Sequence, residues 1–324
     1  MPDNARSVIA DDIAAMEMLL CRTLTNADTF VDEVIRYSLQ VGGKRLRPML
    51  LFLAGKTVGT IAEQHILAAA SIELVHTATL IHDDILDGAS VRRHLATFNV
   101  RWNAQIGVLA GDFLLTKALE LIAQTDSLFA VRQLTAACKQ TCEGELLQIG
   151  SAGGFEISFD DYLRIIGGKT APLLACSAEI GAFFADADVS VTEKFRLFGQ
   201  KIGLAFQIID DVLDLVGKTD TAGKTLRTDL IHHKPTLPLI LYLRDASEHE
   251  RNDMLVRIRR DDFDGQTADE IVAHLTSAGS IAAARKTAQQ LADEADELLA
   301  GIPGNAAAKQ ALSDMTRFVV SRQM

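Results

Sequence analysis

Apolar residues recur along most of this chain at intervals of three and four, the period of a helix with one buried face. In "FVDEVIRYSLQV" (Phe30 to Val41), Val31, Val34, Ile35 and Leu39 share a face, and Gly42-Gly43 supplies a helix stop. From Ser280 to Ala300 the pattern repeats through Ile281, Ala284, Ala288, Leu291, Ala295 and Leu298, between a serine cap and Gly301 and Pro303. Irregular structure is expected only at Gly88 to Thr97, Ser151 to Ile157, Gly217 to Pro238 and Asp261 to Gln266. No Pro/Ser-rich linker or composition shift divides the chain, and no internal repeat emerges. The pattern predicts one all-α domain over residues 1–324.

Composition agrees: 48% hydrophobic residues, only 6 prolines and 6% aromatics suit a large helical core. A net charge of -11 argues against a nucleic-acid partner, which would need Lys and Arg to neutralise phosphates. An acidic protein can still bind anions through metal ions or a local basic patch. The four cysteines (Cys21, Cys138, Cys142, Cys176) form no paired framework and are expected to be reduced core residues. Cys138 and Cys142 are one turn apart, with no histidine pattern to complete a zinc site. The charged start "MPDNARSVIADDIAAM" does not look like a signal peptide, and Glu73 interrupts the longest apolar reach. A cytoplasmic protein without a transmembrane segment is the expectation.

Two stretches break the apolar rhythm alike. "LIHDDILD" carries Asp83, Asp84 and Asp87, and "QIIDDVLD" carries Asp210, Asp211 and Asp214. Other acidic pairs are ordinary: Asp160-Asp161 reads as a helix cap and first turn, and Asp261-Asp262 sits in a Gly-containing loop. Only the two motifs have a third Asp four residues after the first, embedded among Leu and Ile. On a helix those positions stand one above the other, so Asp83 with Asp87, and Asp210 with Asp214, aim carboxylates at one point. Unpaired carboxylates beside an apolar core are costly. Oxygen donors without His or Cys suit Mg²⁺, which bridges one or two carboxylates to substrate phosphates. A salt-bridge network would instead need basic residues inside the motifs, and there are none.

Phosphate binding requires fixed positive charge nearby. "GGKRLRP" clusters Lys44, Arg45 and Arg47; "VRRH" supplies Arg92 and Arg93; Lys169-Thr170 follows two glycines; Lys224 and Lys234 follow the second Asp motif. With two Mg²⁺-type motifs, these clusters point to a diphosphate site with space for more than one anion.

These segments, with "GDFLL", "GGKTAPLL", "FQIIDDVLDLVG", "GKTLRTDL" and "KPTLPL", make the chain resemble the all-trans polyprenyl diphosphate synthases over most of its length. The resemblance implies a bundle of antiparallel helices around a deep central cavity, with the Asp motifs facing each other at its mouth, and a homodimer. It implies three Mg²⁺ ions, two held by Asp83 and Asp87 and one by Asp210, with Asp84, Asp211 and Asp214 completing the catalytic motifs. Arg92, Lys169, Lys224 and Lys234 would hold the allylic diphosphate, and Thr170 and Gln207 would lie near the reacting carbon. Isopentenyl diphosphate would occupy the pocket of Gly43, Lys44, Arg47, His76 and Arg93. Arg227 and His233 depart from the family's glycines in the segment that closes over the diphosphate.

Chain length is addressed by the helix leading into Asp83. Ala68, Ser71, Val75 and Ala78 form a stripe of small residues, which either lines a tunnel or lets a neighbouring helix approach closely. By the resemblance, Ala78 and Thr79 occupy the floor that aromatic residues form in short-chain members, with Val75 and Ser71 deeper. An open floor implies a long-chain product, about C30–C40 at one isoprene unit per helical turn of about 5.4 Å, for a quinone side chain or similar lipid. Peripheral membrane contact would serve product release. The competing readings are a short-chain farnesyl or geranylgeranyl diphosphate synthase, a class I terpene cyclase, and a non-catalytic subunit of a heteromeric synthase. The intact second motif and "GGKRLRP" count against the last two.

Overall fold

The structure is a computed structural model that describes residues 3–41, 43–151, 154, 157–217, 228–231, 234–259 and 265–322. Its first helices are α1 (Asp3–Val8), α2 (Ala10–Thr23), α3 (Thr29–Val41), α4 (Leu46–Val58) and α5 (Glu63–Leu86). Strands β1 (Val91–Arg92) and β2 (Leu95–Ala96) precede α6 (Phe98–Arg101), α7 (Ala104–Ala123), α8 (Leu128–Gly150) and α9 (Phe159–Lys169). Then come α10 (Ala171–Phe184), α11 (Val189–Val216), α12 (Thr228–Ile231), α13 (Leu237–Asp245) and α14 (Glu248–Ile258). The last are α15 (Gly265–Ser277), α16 (Ser280–Ala300) and α17 (Ala306–Ser321). Among the described residues no helix is long and apolar enough to cross a membrane.

The chain forms two compact units. One comprises Met1–Cys138, Leu173–Gly199 and Glu297–Met315, the other Lys139–Pro172, Gln200–Asp296 and Thr316–Met324. Every boundary falls inside a helix, so no linker in the sequence marks it.

In the first unit α5 packs against α7, α4 and α2. Helix α4 is buried continuously from Pro48 to Gly55, as expected of an interior helix that is apolar nearly all round. Gly181 of α10 lies so close to α4 that a Cβ would overlap the Leu51 carbonyl oxygen. The stripe Ala68, Ser71, Val75 and Ala78 is buried, and the Ser71 hydroxyl donates to the Ala118 carbonyl of α7 at 2.6 Å. At Ser71 the small side chain lets α5 and α7 approach closely.

The segment Gly88 to Thr97, read as irregular, contains a two-stranded antiparallel hairpin with Val91 opposite Ala96 and Arg92 opposite Leu95. Its two-residue tip, Arg93 and His94, has φ of 52° and 64°. Such a turn matches strand twist but favours Asn-Gly, so alternating hydrophobicity gave no warning of it. Tyr37 donates its hydroxyl to the Ala96 carbonyl at 2.6 Å and packs edge-on against Phe98 and Trp102, fixing the hairpin to α3.

In the second unit Gly144 of α8 and Gly168 of α9 meet backbone to backbone, and a Cβ on Gly168 would sit 2.8 Å from the Gly144 Cα. Gly203 of α11 makes a similar approach to Ala171, the first residue of α10. The cap of α9 is Ser158, whose hydroxyl accepts from the Asp161 amide at 3.0 Å, with Asp160 and Asp161 following in the first turn. Ser280 opens α16 by donating to the Leu275 carbonyl, not by accepting from its own helix. The cysteines depart from expectation: Cys176 is buried and Cys138 half-buried, whereas Cys21 and Cys142 are exposed on the solvent sides of α2 and α8.

Candidate active site

Both Asp motifs lie at the C-terminal ends of long helices. Asp83 and Asp84 are in the last turn of α5, and Asp87 is its C-cap, its amide donating to the Asp83 carbonyl at 2.8 Å. Gly88 then takes φ of 60°, the left-handed stop that glycine tolerates. Asp210, Asp211 and Asp214 occupy the final two turns of α11. Helix C-termini carry partial negative charge, so these carboxylates sit where the dipole disfavours them and favours a cation.

In the first unit the motif divides in two. Asp84 is buried and accepts from the Arg92 guanidinium, with Nε and Nη2 each 2.7 Å from Oδ1. Burial raises the Asp84 carboxyl above its ordinary value, opposed by Arg92. Asp83 is half-buried and Asp87 exposed. The less buried face of α5 runs from Asp87 through Asp83 and Thr79 to His76, while Ala78 and Val75 lie on its buried side. Burial, reinforced by Arg47, Arg93, Arg92 and Arg45, holds the His76 imidazole well below its usual value, so it faces the basic cluster uncharged.

The cations of "GGKRLRP" also divide. Arg45 caps α4 with φ of 54° and turns to Glu17 of α2 (Nε–Oε1 2.6 Å) and Glu73 of α5 (Nη1–Oε1 2.7 Å). Burial opposes its charge, but Glu73 and Glu17 outweigh burial and raise its pKa. Arg45 is thus a structural tie. Gly43 lies directly against the Arg93 guanidinium, where a Cβ would overlap it, and burial lowers the Arg93 pKa. The structure therefore joins Gly43 to the hairpin tip, and Arg47 and Arg93 act on the same His76.

In the second unit a cavity of about 60 Å³ is lined by Tyr162, Lys169, Gln207, Asp211, Asp229 and Lys234, among others. The glycine crossing sets Lys169 against α8, where its Nζ meets Glu145 Oε2 at 2.6 Å and Gln148 Oε1 at 3.0 Å. Thr170 donates to Gln207 Oε1 at 2.6 Å, Gln207 Nε2 to Asp211 Oδ1 at 2.9 Å, and the Tyr162 hydroxyl to Asp211 Oδ2 at 2.7 Å. Burial, with Asp229 beside it, raises the Asp211 carboxyl above its ordinary value, opposed by those two donors, which favour the ionised form, and burial with Asp211 raises Tyr162 well above its ordinary value. Asp214, 1% exposed, accepts from the Asp229 amide at 3.1 Å, so it does not share the outlook of Asp210. Asp210, with its side chain 34% exposed, pairs with Arg322 near the C-terminus at 2.5 Å, and that guanidinium stacks 4.6 Å from the Phe206 ring centre. Lys224, Arg227 and His233 lie outside the described residues.

Sequence reading missed Tyr162, Glu145, Gln148, Asp229 and Arg322. Tyr162 could have been found, seven residues and two turns before Lys169 on one helix face. Glu145 and Gln148 share a face at a spacing of three. Arg322 carries no local signal.

The donor set fits Mg²⁺. Among the described residues no group of three or more His, Cys, Asp and Glu side chains is gathered to hold an ion. Asp83, Asp87 and Asp210 are less buried than Asp84, Asp211 and Asp214, and Mg²⁺ takes one or two carboxylates with waters and substrate phosphate.

Relatives place this chemistry. The chain is 34% identical over 317 residues to the all-trans-nonaprenyl-diphosphate synthase (geranyl-diphosphate specific) of Rhodobacter capsulatus, covering 97% of this chain and 96% of that one. It is 30% identical over 321 residues to the octaprenyl diphosphate synthase of Escherichia coli (strain K12), covering 99% and 98%. The crystal structure of a polyprenyl synthase from Caulobacter crescentus CB15, complexed with calcium and isoprenyl diphosphate, superposes with a TM-score of 0.91 at 34% identity, covering 99% and 98%. The family model described as polyprenyl synthetase matches residues 28–298, and with carboxylates and cations arrayed as above the chain belongs to the polyprenyl synthetase family and is a prenyltransferase.

Proposed function

We propose that this prenyltransferase condenses isopentenyl diphosphate with an allylic diphosphate repeatedly, to a chain of about C30–C40, for a quinone side chain or similar lipid. The observation carrying this reading is the pair of acidic motifs at helix C-termini, with their less buried carboxylates beside fixed cations. Asp83 and Asp87 hold two Mg²⁺ ions and Asp210 a third, and the calcium in the Caulobacter relative supports a divalent-ion site. Bound Mg²⁺ supplies neutralisation of the charge that builds on the departing diphosphate.

The chain's own residues do the rest. Arg92, Lys169, Lys224 and Lys234 bind the allylic diphosphate, and Lys169 exchanges Glu145 for phosphate oxygen as it does so. Lys44, Arg47 and Arg93 anchor isopentenyl diphosphate beside Gly43, and His76 adds a hydrogen bond. Holding both substrates aligned makes attack of the alkene on the allylic carbon effectively unimolecular. Thr170 and Gln207 direct oxygen dipoles at the developing positive charge. Asp84, Asp211 and Asp214 act through protein partners as positioning residues. The departing diphosphate takes the proton lost in the last step.

Both units serve this one activity as a single functional domain, in a cytoplasmic homodimer that contacts membrane only for product release. Exposed Val108, Leu109 and Leu119 on α7 offer apolar surface for a second copy.

The test is incubation of the purified chain with Mg²⁺, farnesyl diphosphate and isopentenyl diphosphate, with products sized by mass. A C30–C40 ladder is expected; a cyclised hydrocarbon, a C15–C20 end point or no product would each refute the reading. Asp83→Ala should lower turnover by ~10²–10³, the scale of losing one electrostatic stabiliser.

A further inference from the structure

The bonds linking Tyr162, Asp211, Gln207 and Thr170 have a direction. A carboxylate accepts at both oxygens, and an amide has one donating and one accepting end. Asp211 receives the Tyr162 hydroxyl on Oδ2 and the Gln207 Nε2–H on Oδ1. Because Asp211 draws the nitrogen of Gln207, the amide oxygen is left for the Thr170 hydroxyl at 2.6 Å. With the amide turned over, its oxygen would face an oxygen of the ionised carboxylate, a repulsive contact. Asp211 therefore sets the amide, and the amide sets the Thr170 proton. The hydroxyl's lone pairs are then directed away from Gln207.

Tyr162 stands behind this chain. It is 1% exposed on α9, on the buried face that it shares with Ile165 and Ile166. A phenylalanine would fill the same volume, so packing alone does not call for a hydroxyl there. Its hydroxyl gives Asp211 a second donor and fixes the carboxylate plane from the side opposite Gln207. A buried carboxylate with one donor could rotate and release the amide. With two it cannot.

We propose that Tyr162 is a positioning residue for prenyl transfer: through Asp211 it fixes which end of the Gln207 amide meets Thr170, and so the direction in which Thr170 presents its oxygen. This rests on the prenyl-transfer reading, in which that oxygen faces positive charge developing at the allylic carbon. The contribution is made in the transition state, because the ground-state allylic diphosphate carries no such charge.

The experiment is a double-mutant cycle on the full chain with Mg²⁺, farnesyl diphosphate and isopentenyl diphosphate, following the first condensation. Wild-type turnover comes first; its absence would refute the prenyl-transfer reading itself, independently of Tyr162. Tyr162→Phe should lower kcat about tenfold, with KM for both diphosphates within about twofold, the signature of an interaction made only in the transition state. Tyr162→Phe/Thr170→Val should lose no more than Thr170→Val alone, because both interrupt one chain. Unchanged kcat, a rise in KM that accounts for the loss, or losses that multiply would overturn the proposal. Circular dichroism and the thermal midpoint check folding. If Tyr162→Phe does not fold, the cycle is run with Asp211→Leu and Thr170→Val, and multiplying losses overturn the chain equally.

Discussion

Replacing Arg45 separates the structural cation of "GGKRLRP" from those proposed to bind substrate. Its side chain is 14% exposed and ties α4 to Glu73, which is 2% exposed, and to Glu17, which is 37% exposed. Methionine keeps the stem and the same left-handed backbone penalty, so Arg45→Met isolates the charge. Loss of the guanidinium leaves Glu73 buried without its ion partner, a change that costs about 3–5 kcal/mol, whereas the screened Glu17 contact adds under about 1 kcal/mol. Near 2 °C per kcal/mol, the low end for chains of this size, the thermal midpoint should fall by roughly 6–10 °C. Arg45→Met/Glu73→Gln should recover much of that, because no lone buried charge remains. Arg47→Ala should instead raise KM for isopentenyl diphosphate and leave the midpoint within about 2 °C. Differential scanning calorimetry and initial rates on the four proteins give the answer. If Arg45→Met and Arg47→Ala proved alike in both measurements, the division of labour argued from the geometry would be wrong.

Glu179, 7% exposed on α10, is lifted by burial to about 7 from 4.5, against the pull of Arg196. Its folded value exceeds the unfolded one, so the penalty is absent below pH 4.5, grows as pH rises and is complete above 7. Glu179→Gln should therefore stabilise by up to about 3 kcal/mol at pH 8 and by less at pH 5.5, and equal gains at both would contradict the assignment. Arg322→Gln removes one cation paired with Asp210 and should tighten Mn²⁺ binding, read by electron paramagnetic resonance without substrate, by roughly threefold or more; unchanged or weaker binding would count against that pairing in solution. Ala78→Phe should shift products towards C15–C20 with the first condensation largely intact, and an unchanged product length by mass analysis would remove Ala78 from the tunnel.

How much was legible depended on whether residues speak to neighbours in sequence. The helices were readable because burial imposes a local period, as in Phe30 to Val41 and Ser280 to Ala300. The Asp motifs stood out because carboxylates contradict that period. What each carboxylate meets was not readable. Asp84 finds Arg92 through a hairpin whose tip, Arg93-His94, lacks the usual turn residues. Asp210 finds Arg322 from 112 residues away, and Asp211 finds Tyr162 from 49. Equal spacing made the three carboxylates of a motif look equivalent, and only packing distinguished Asp214 against the Asp229 amide from Asp210. The Arg45 tie was hidden likewise, since Lys44, Arg45 and Arg47 differ only in where the backbone turns them.

If the acidic motifs at the helix C-termini hold Mg²⁺ as proposed, their seating would couple catalysis to conformational equilibrium. An ion that relieves carboxylate repulsion in the native chain, and finds no such array in the unfolded one, shifts the equilibrium by mass action. At saturating concentrations each tenfold increase in free ion adds about 1.4 kcal/mol per site. On that reading the protein's resistance to unfolding would be a function of the ion activity around it. Chelation would weaken the scaffold as well as silence the chemistry, and a folded population would itself report on available magnesium.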